Sequence, residues 1–132
     1  MRVLGIDYGN ARIGIAMGDT ETCIAGPLTV LENHGDDRSI IAIQELIKKE
    51  QIEKIIVGLP LGKEGEETEQ SKRIRSFISK LEEIGMIIET INERFTSQIA
   101  LHHVHERGEK GKRDDLAASA ILQSWLDTVS SR

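Results

Sequence analysis

VLGIDYGNARIGIA, residues 3–16, sets one carboxylate, Asp7, inside an apolar run that otherwise reads as buried strand. An unpaired buried charge costs several kcal/mol or is neutralised. Asp7 therefore needs a partner that its own strand does not offer. The apolar residues flanking DYGNAR predict two strands, 2–7 and 12–19, folded back on each other as an antiparallel hairpin.

Outward from this hairpin, Ile24 to Leu31 reads as a third strand. Pro27 within it has no N–H to donate, which places the strand at a sheet edge. Asp36, Asp37 and Ser39 supply helix-start chemistry for a helix that carries Ile40, Ile43, Leu46 and Ile47 on one face and ends near Glu50. KIIVGLP, residues 54–60, lacks polar alternation, as a strand covered on both faces does. Beyond the polar, glycine-bearing LGKEGEETEQ, the spacing of Ile74, Phe77, Ile78 and Leu81 predicts a second helix, stopped at Gly85. MIIETI, residues 86–91, is a fifth strand with Glu93 just past its end. A short helix around 98–104 and a last helix from about Asp114 to Val129 follow. This order implies an α/β protein: a mixed five-stranded sheet with helices on both faces, in a single domain over residues 1–132.

The net charge of −5 is the wrong sign for a protein that coats nucleic acid indiscriminately. Local basic patches are compatible with it, and two exist: Lys72, Arg73 and Arg75, then Arg107, Lys110, Lys112 and Arg113. Aromatics at 3% are too few for base-stacking platforms, and Trp125 is expected to pack rather than stack on a base. One cysteine, Cys23, excludes an intrachain disulfide, and no apolar stretch reaches a membrane-spanning length. Together these favour a cytoplasmic protein with no membrane partner.

Three acidic residues occupy unusual places: Asp7 in the first strand, Glu93 past the fifth, and Asp114 or Asp115 at the start of the last helix. Functional groups of an α/β sheet gather at the carboxyl ends of its strands, which puts Asp7 and Glu93 on one rim. If the last helix crosses that rim, its first turn adds a third carboxylate. Carboxylates crowded together raise one another's pKa unless cations fill the gap. Oxygen-seeking Mg²⁺ or Mn²⁺, as a pair about 3.5–4 Å apart, would suit phosphodiester hydrolysis. Ala118, Ile121 and Trp125 follow Asp114 around the helix, whereas Ser119, Leu122 and Leu126 follow Asp115, a mixed face. This selects Asp114. Gly9 and Gly14 clear side chains from the hairpin, so that a phosphate could approach its backbone, although plain turn chemistry explains Gly9 equally well.

Other chemistries fare worse. GLPLGKEG has neither the P-loop spacing nor a Ser or Thr after Lys63. His102, His103 and His105 lack a fourth soft ligand for zinc and read as a solvated helix face. Actin-like ATPases begin with a similar hairpin, but need two such domains.

Four ordered blocks carry a resemblance: GIDYGNARIGIA, IIVGLPLGKEG, NERFTS and KGKRDDLAASAILQSWLD. Over essentially its whole length the chain resembles the YqgF family, Holliday-junction-resolvase-like nucleases implicated in maturing the 16S ribosomal RNA precursor. The resemblance implies a ribonuclease H-like fold and a metal-dependent nuclease with catalytic, metal-holding carboxylates at Asp7, Glu93 and Asp114. It implies hydrolysis of structured nucleic acid in ribosome biogenesis, at the 5′ end of pre-16S rRNA, ahead of a DNA junction. Gly9, Arg12, Arg94, Lys110, Lys112 and Arg113 are the expected nucleic-acid contacts. Ribosomal particles are expected partners, and a monomer or weak dimer is the expected state. The alternatives are a DNA junction resolvase and a non-catalytic ribosome- or transcription-associated binding factor. Against the latter, the chain retains all three carboxylates. It departs from the family at Asn92, where an aspartate is usual, and in a shorter segment between Glu93 and Asp114. Ala117 stands where junction resolvases carry a fourth ligand.

Overall fold

The computed structural model describes residues 1–93 and 113–130. Strands β1 (Arg2–Tyr8) and β2 (Arg12–Asp19) form the expected antiparallel hairpin, paired from Arg2 opposite Asp19 to Tyr8 opposite Ile13. On the far side of β2 lies β3 (Ile24–Glu32), also antiparallel. On the other side of β1, β4 (Lys54–Leu59) and β5 (Ile87–Asn92) add in parallel, giving the order β3-β2-β1-β4-β5. The Pro27 strand is indeed an edge. Pro27 lies opposite Ala16 and Thr29 opposite Ile15, so the ladder skips Leu28 in a bulge beside the residue that cannot donate.

Helices cover both faces, as the double-sided apolar character of β4 requires. Helices α1 (Asp36–Glu50) and α2 (Glu69–Glu82) pack Ile43, Ile74, Phe77 and Leu81 onto Leu4, Ile6, Ile13, Ile55 and Val57. Thr68 caps α2 by accepting from the Ser71 N–H, while Ser71 accepts from the Thr68 N–H. On the opposite face, α3 (Arg113–Ser130) packs Ala118, Ile121, Leu122, Trp125 and Leu126 onto Val3, Ala16 and Ile56. The face under α3 is lined by small residues in strand alternation: Gly5 on β1, Gly14, Ala16 and Gly18 on β2, and Gly58 on β4. A Cβ on Gly5 would press on the Leu122 Cβ at 2.8 Å, so the helix rests almost on the sheet backbone. Trp125 packs as expected, its indole N–H donating to Glu89 at 3.0 Å and its ring lying under Lys54. Leu122 and Leu126 are fully buried, which corrects the reading of the Asp115 face as mixed: α3 buries two adjacent stripes.

Asp36 opens α1 as expected, in its first turn, but does not cap it. The cap of α1 is Gly35, with no side-chain cap bond, and Asp36 is instead buried within a cationic cluster. Arg73 donates to it through both terminal nitrogens at 2.9 and 3.0 Å, the Tyr8 hydroxyl donates at 2.9 Å, and Lys80 at 3.4 Å. Arg75 pairs with Glu67, so two cations of the first basic cluster are already neutralised within the fold. The Arg73 hydrogen bonds, against the opposing effect of burial and with help from Tyr8, bring the Asp36 pKa from 3.8 down to about 2. A depressed carboxylate stabilises the fold fully above its unfolded pKa, and that contribution is lost as pH falls through the folded value. Asp36→Asn is therefore expected to cost about 1–2 kcal/mol at pH 7, discounted for the solvent around Arg73, and to remove the stability loss between pH 4 and 2. Urea melts of both proteins across that range check it.

Candidate active site

Asp7 lies one residue from the end of β1 and points to the α3 face, as its alternation with Val3 and Gly5 requires. Glu93 follows directly on β5. The strand between them, β4, presents Gly58, where a Cβ would come within 3.0 Å of the Glu93 Cγ. That missing side chain lets the two carboxyls meet across an intervening strand, and they hydrogen-bond to each other. Loss of water around Asp7 is the main cause that raises its pKa, from 3.8 to about 8, with Glu93 and then Asp114 adding negative charge. Burial raises Glu93 as well, partly offset by the hydrogen bond from Asp7. Near neutrality this pair therefore holds a proton between two oxygens.

Asp114 enters in the first turn of α3. Its backbone carbonyl fills the space where a Cβ of Gly14 would stand, so this glycine admits the protein's own helix to the hairpin. Gly9 has a local reason: a Cβ there would meet the Arg12 carbonyl across the turn, at 2.5 Å. The turn is braced by Asn33, whose amide donates to the Gly9 carbonyl at 2.9 Å. Arg12, at the start of β2, donates from Nε to Asp114 Oδ2 at 2.7 Å. Asp114, not its neighbour Asp115, is the charge that Asp7 senses.

The fold thus gathers Asp7, Glu93, Asp114, Arg12 and Gly9 at one rim. Arg94, Lys110 and Lys112, the helix expected around 98–104 and the three histidines within 102–105 lie outside the described residues, as does the side chain of Arg113. Gly58 and Gly14 are the supporting residues whose role the sequence reading missed or misassigned. The signal for them was the period-two series of small residues in GIAMG, marking a strand face that another backbone approaches, and the glycine of IVG, over which side chains lie.

As the side chains stand, among the described residues no three His, Cys, Asp or Glu groups are disposed to hold one metal ion together. The donor chemistry fits a hard divalent cation nonetheless: every candidate ligand is a carboxylate oxygen, and the Asp7–Glu93 proton occupies a place that such a cation would take with less repulsion.

Comparison with known proteins agrees with this arrangement. A family model described as "RuvX: Holliday junction resolvase" matches residues 1–128. A protein of Sulfurihydrogenibium sp. named "Putative pre-16S rRNA nuclease" is 41% identical over 135 residues, spanning 98% of this chain and 92% of its own length. One of the same name from Bacteroides fragilis is 38% identical, spanning 96% of each chain. Among solved structures, Thermus thermophilus RuvC in complex with a Holliday junction substrate aligns with a TM-score of 0.67 at 16% identity, over 98% of this chain and 96% of that one. Fowlpox virus resolvase with its junction DNA aligns at 0.61 and 10% identity, over 98% and 99%. These two establish a resolvase-like, ribonuclease H-type α/β fold. By the match of nearly its whole length, the chain belongs to the RuvX family, the YqgF nucleases.

Proposed function

We propose that this protein is a divalent-metal-dependent endonuclease that hydrolyses phosphodiesters of structured RNA and trims the 5′ end of pre-16S rRNA. The observation that carries the reading is the meeting of Asp7 and Glu93 across Gly58, with Asp114 close enough for its charge to act on Asp7. The name shared by its relatives supports the choice of substrate.

In this reading Asp7 and Glu93 hold the metal from the sheet and Asp114 from α3. Mg²⁺ or Mn²⁺, when bound there, supplies a water activated for attack and stabilises the departing oxygen. The protein's own part is placement. The sheet rim fixes two carboxylates at the ends of the parallel strands β1 and β5, on either side of β4, and the small-residue face sets α3 close enough for the third. Arg12, about a third exposed beside them, offers its guanidinium to a phosphate. Lys110, Lys112 and Arg113, just ahead of Asp114 in sequence, extend that positive contact along the strand.

The test is cleavage with Mn²⁺ of precursor rRNA, single-stranded RNA and a four-way DNA junction, measured side by side. Cleavage at the 5′ side of the precursor alone supports the reading; preferential junction cleavage moves the substrate to DNA; binding without cleavage leaves a non-catalytic factor. In the same assay Asp114→Asn is expected to reduce cleavage at least 100-fold, since it removes a ligand at the reacting centre. Asp115→Asn should retain most activity. The reverse pattern would place the third ligand at Asp115.

A further inference from the structure

We propose that Arg12 is an internal counter-ion for Asp114, holding that carboxylate out of the ion site until a substrate phosphate takes the guanidinium, so that metal and phosphate bind cooperatively. The proposal rests on the reading of Asp7, Glu93 and Asp114 as ion ligands. Its starting point is a division in the rim. Asp7 and Glu93 bond to each other, while Asp114 is turned to Arg12 through a single 2.7 Å bond from Nε. That leaves three carboxylates gathered but not disposed as a set of ligands for one ion.

The backbone restricts how this can change. The Asp114 carbonyl sits against Gly14, so the helix end has no room to advance toward the hairpin, and the change available is rotation of one side chain. Arg12 cannot step aside by losing its proton, because a guanidinium stays charged at any physiological pH. It can, however, exchange one anion for another. Its side chain is 35% exposed and that of Asp114 27%, so a phosphate arriving from solvent reaches the guanidinium without any opening of the fold. A phosphodiester accepts from the planar fork in the same way as a carboxylate.

Each group therefore has two alternatives. Arg12 binds Asp114 or phosphate, and Asp114 binds Arg12 or the cation. Only with phosphate and cation both present does every charged group of the rim face a charge of opposite sign. Linkage then requires that phosphate tighten the cation by the same factor as the cation tightens phosphate. A partly exposed ion pair is worth up to about 1 kcal/mol, which corresponds to a coupling of roughly fivefold.

The experiment is a Mn²⁺ titration of the full chain, followed by calorimetry and by water-proton relaxation. It is run with and without a short RNA duplex made uncleavable by 2′-O-methyl groups, and corrected for ion taken up by the RNA alone. For the unaltered protein, RNA should tighten Mn²⁺ about fivefold, and Mn²⁺ should tighten RNA equally. Arg12→Gln should bind Mn²⁺ about fivefold more tightly without RNA and gain nothing further when RNA is added. Asp114→Asn, its fold checked by circular dichroism, should bind Mn²⁺ more weakly and show no coupling. Unchanged or weakened Mn²⁺ affinity in Arg12→Gln, with the unaltered protein binding normally, overturns this proposal and leaves the ion-site reading standing. No Mn²⁺ uptake at the rim by either protein overturns both.

Discussion

Replacing Gly14 by alanine is expected to destabilise the protein by about 3 kcal/mol and to reduce cleavage at least 100-fold, although alanine is the smallest side chain that could be added. The Cβ would fall inside the Asp114 carbonyl, a backbone group held by the helix behind it, so no flexible side chain can yield. The first turn of α3 has to lift from the hairpin, and displacing Asp114 by as little as ~1 Å degrades a site that depends on placement. Gly26→Ala in β3 is the control: nothing lies within 4 Å of its Cβ, and a change near zero is expected there. Urea denaturation of the two variants, with cleavage rates alongside, measures both effects. Equal behaviour would mean that α3 docks more loosely than its contacts indicate.

Asp7→Asn is expected to act in opposite directions on activity and stability. Cleavage should fall by at least 10³-fold, because a carboxylate proposed to hold the metal is removed. The metal-free variant, however, should be more stable than the unaltered protein at pH 7, by about 2–4 kcal/mol. The sign follows from the direction of the shift. A carboxyl whose folded pKa is raised, here to about 8, binds a proton in the folded chain that the unfolded chain has released. Its contribution to stability is complete below pH 4 and is lost as pH rises toward 8. Asparagine carries no such dependence, and its amide can donate to Glu93 in place of the shared proton. Thermal melts between pH 4 and 9 should therefore slope downward for the unaltered protein and less steeply for Asp7→Asn, in which only the raised Glu93 remains. Mn²⁺ should raise the melting temperature of the former only, since a ligand that binds the folded state alone stabilises it. A variant less stable at every pH would assign Asp7 a structural task.

Much of this arrangement was legible in local pattern. A lone aspartate in an apolar run, a proline within a strand and an unalternating KIIVGLP segment report single-residue chemistry, and each led to the right strand position. What escaped were relations between distant parts of the chain. Asp36 carries every mark of a helix-start residue, and nothing within its own segment announces Arg73 and Lys80, supplied by another helix. Leu122 and Leu126 looked like a mixed face because Ser119 shares it, while the sheet beneath is so stripped of side chains that two stripes sink into it. Gly58 resembles any strand glycine until Glu93 is seen lying over it. Asp7 was singled out as a charge that a sheet does not bury alone, Glu93 by its place past a strand and Asp114 by its place at a helix start. Their mutual hydrogen bond and the Arg12 partner are tertiary facts.

The docking of α3 onto a glycine-lined face also has a temporal side. The Arg12–Asp114 bond joins residues 102 positions apart, and the face that receives α3 belongs to strands made early in synthesis. Contacts of such sequence separation form late, because closing the intervening chain precedes any gain from them. While β1, β2 and β4 are already paired, Val3, Ala16 and Ile56 wait uncovered, and Asp7 has no third carboxylate near it. In the order of synthesis the sheet thus precedes the third carboxylate, and the rim is assembled only when α3 arrives.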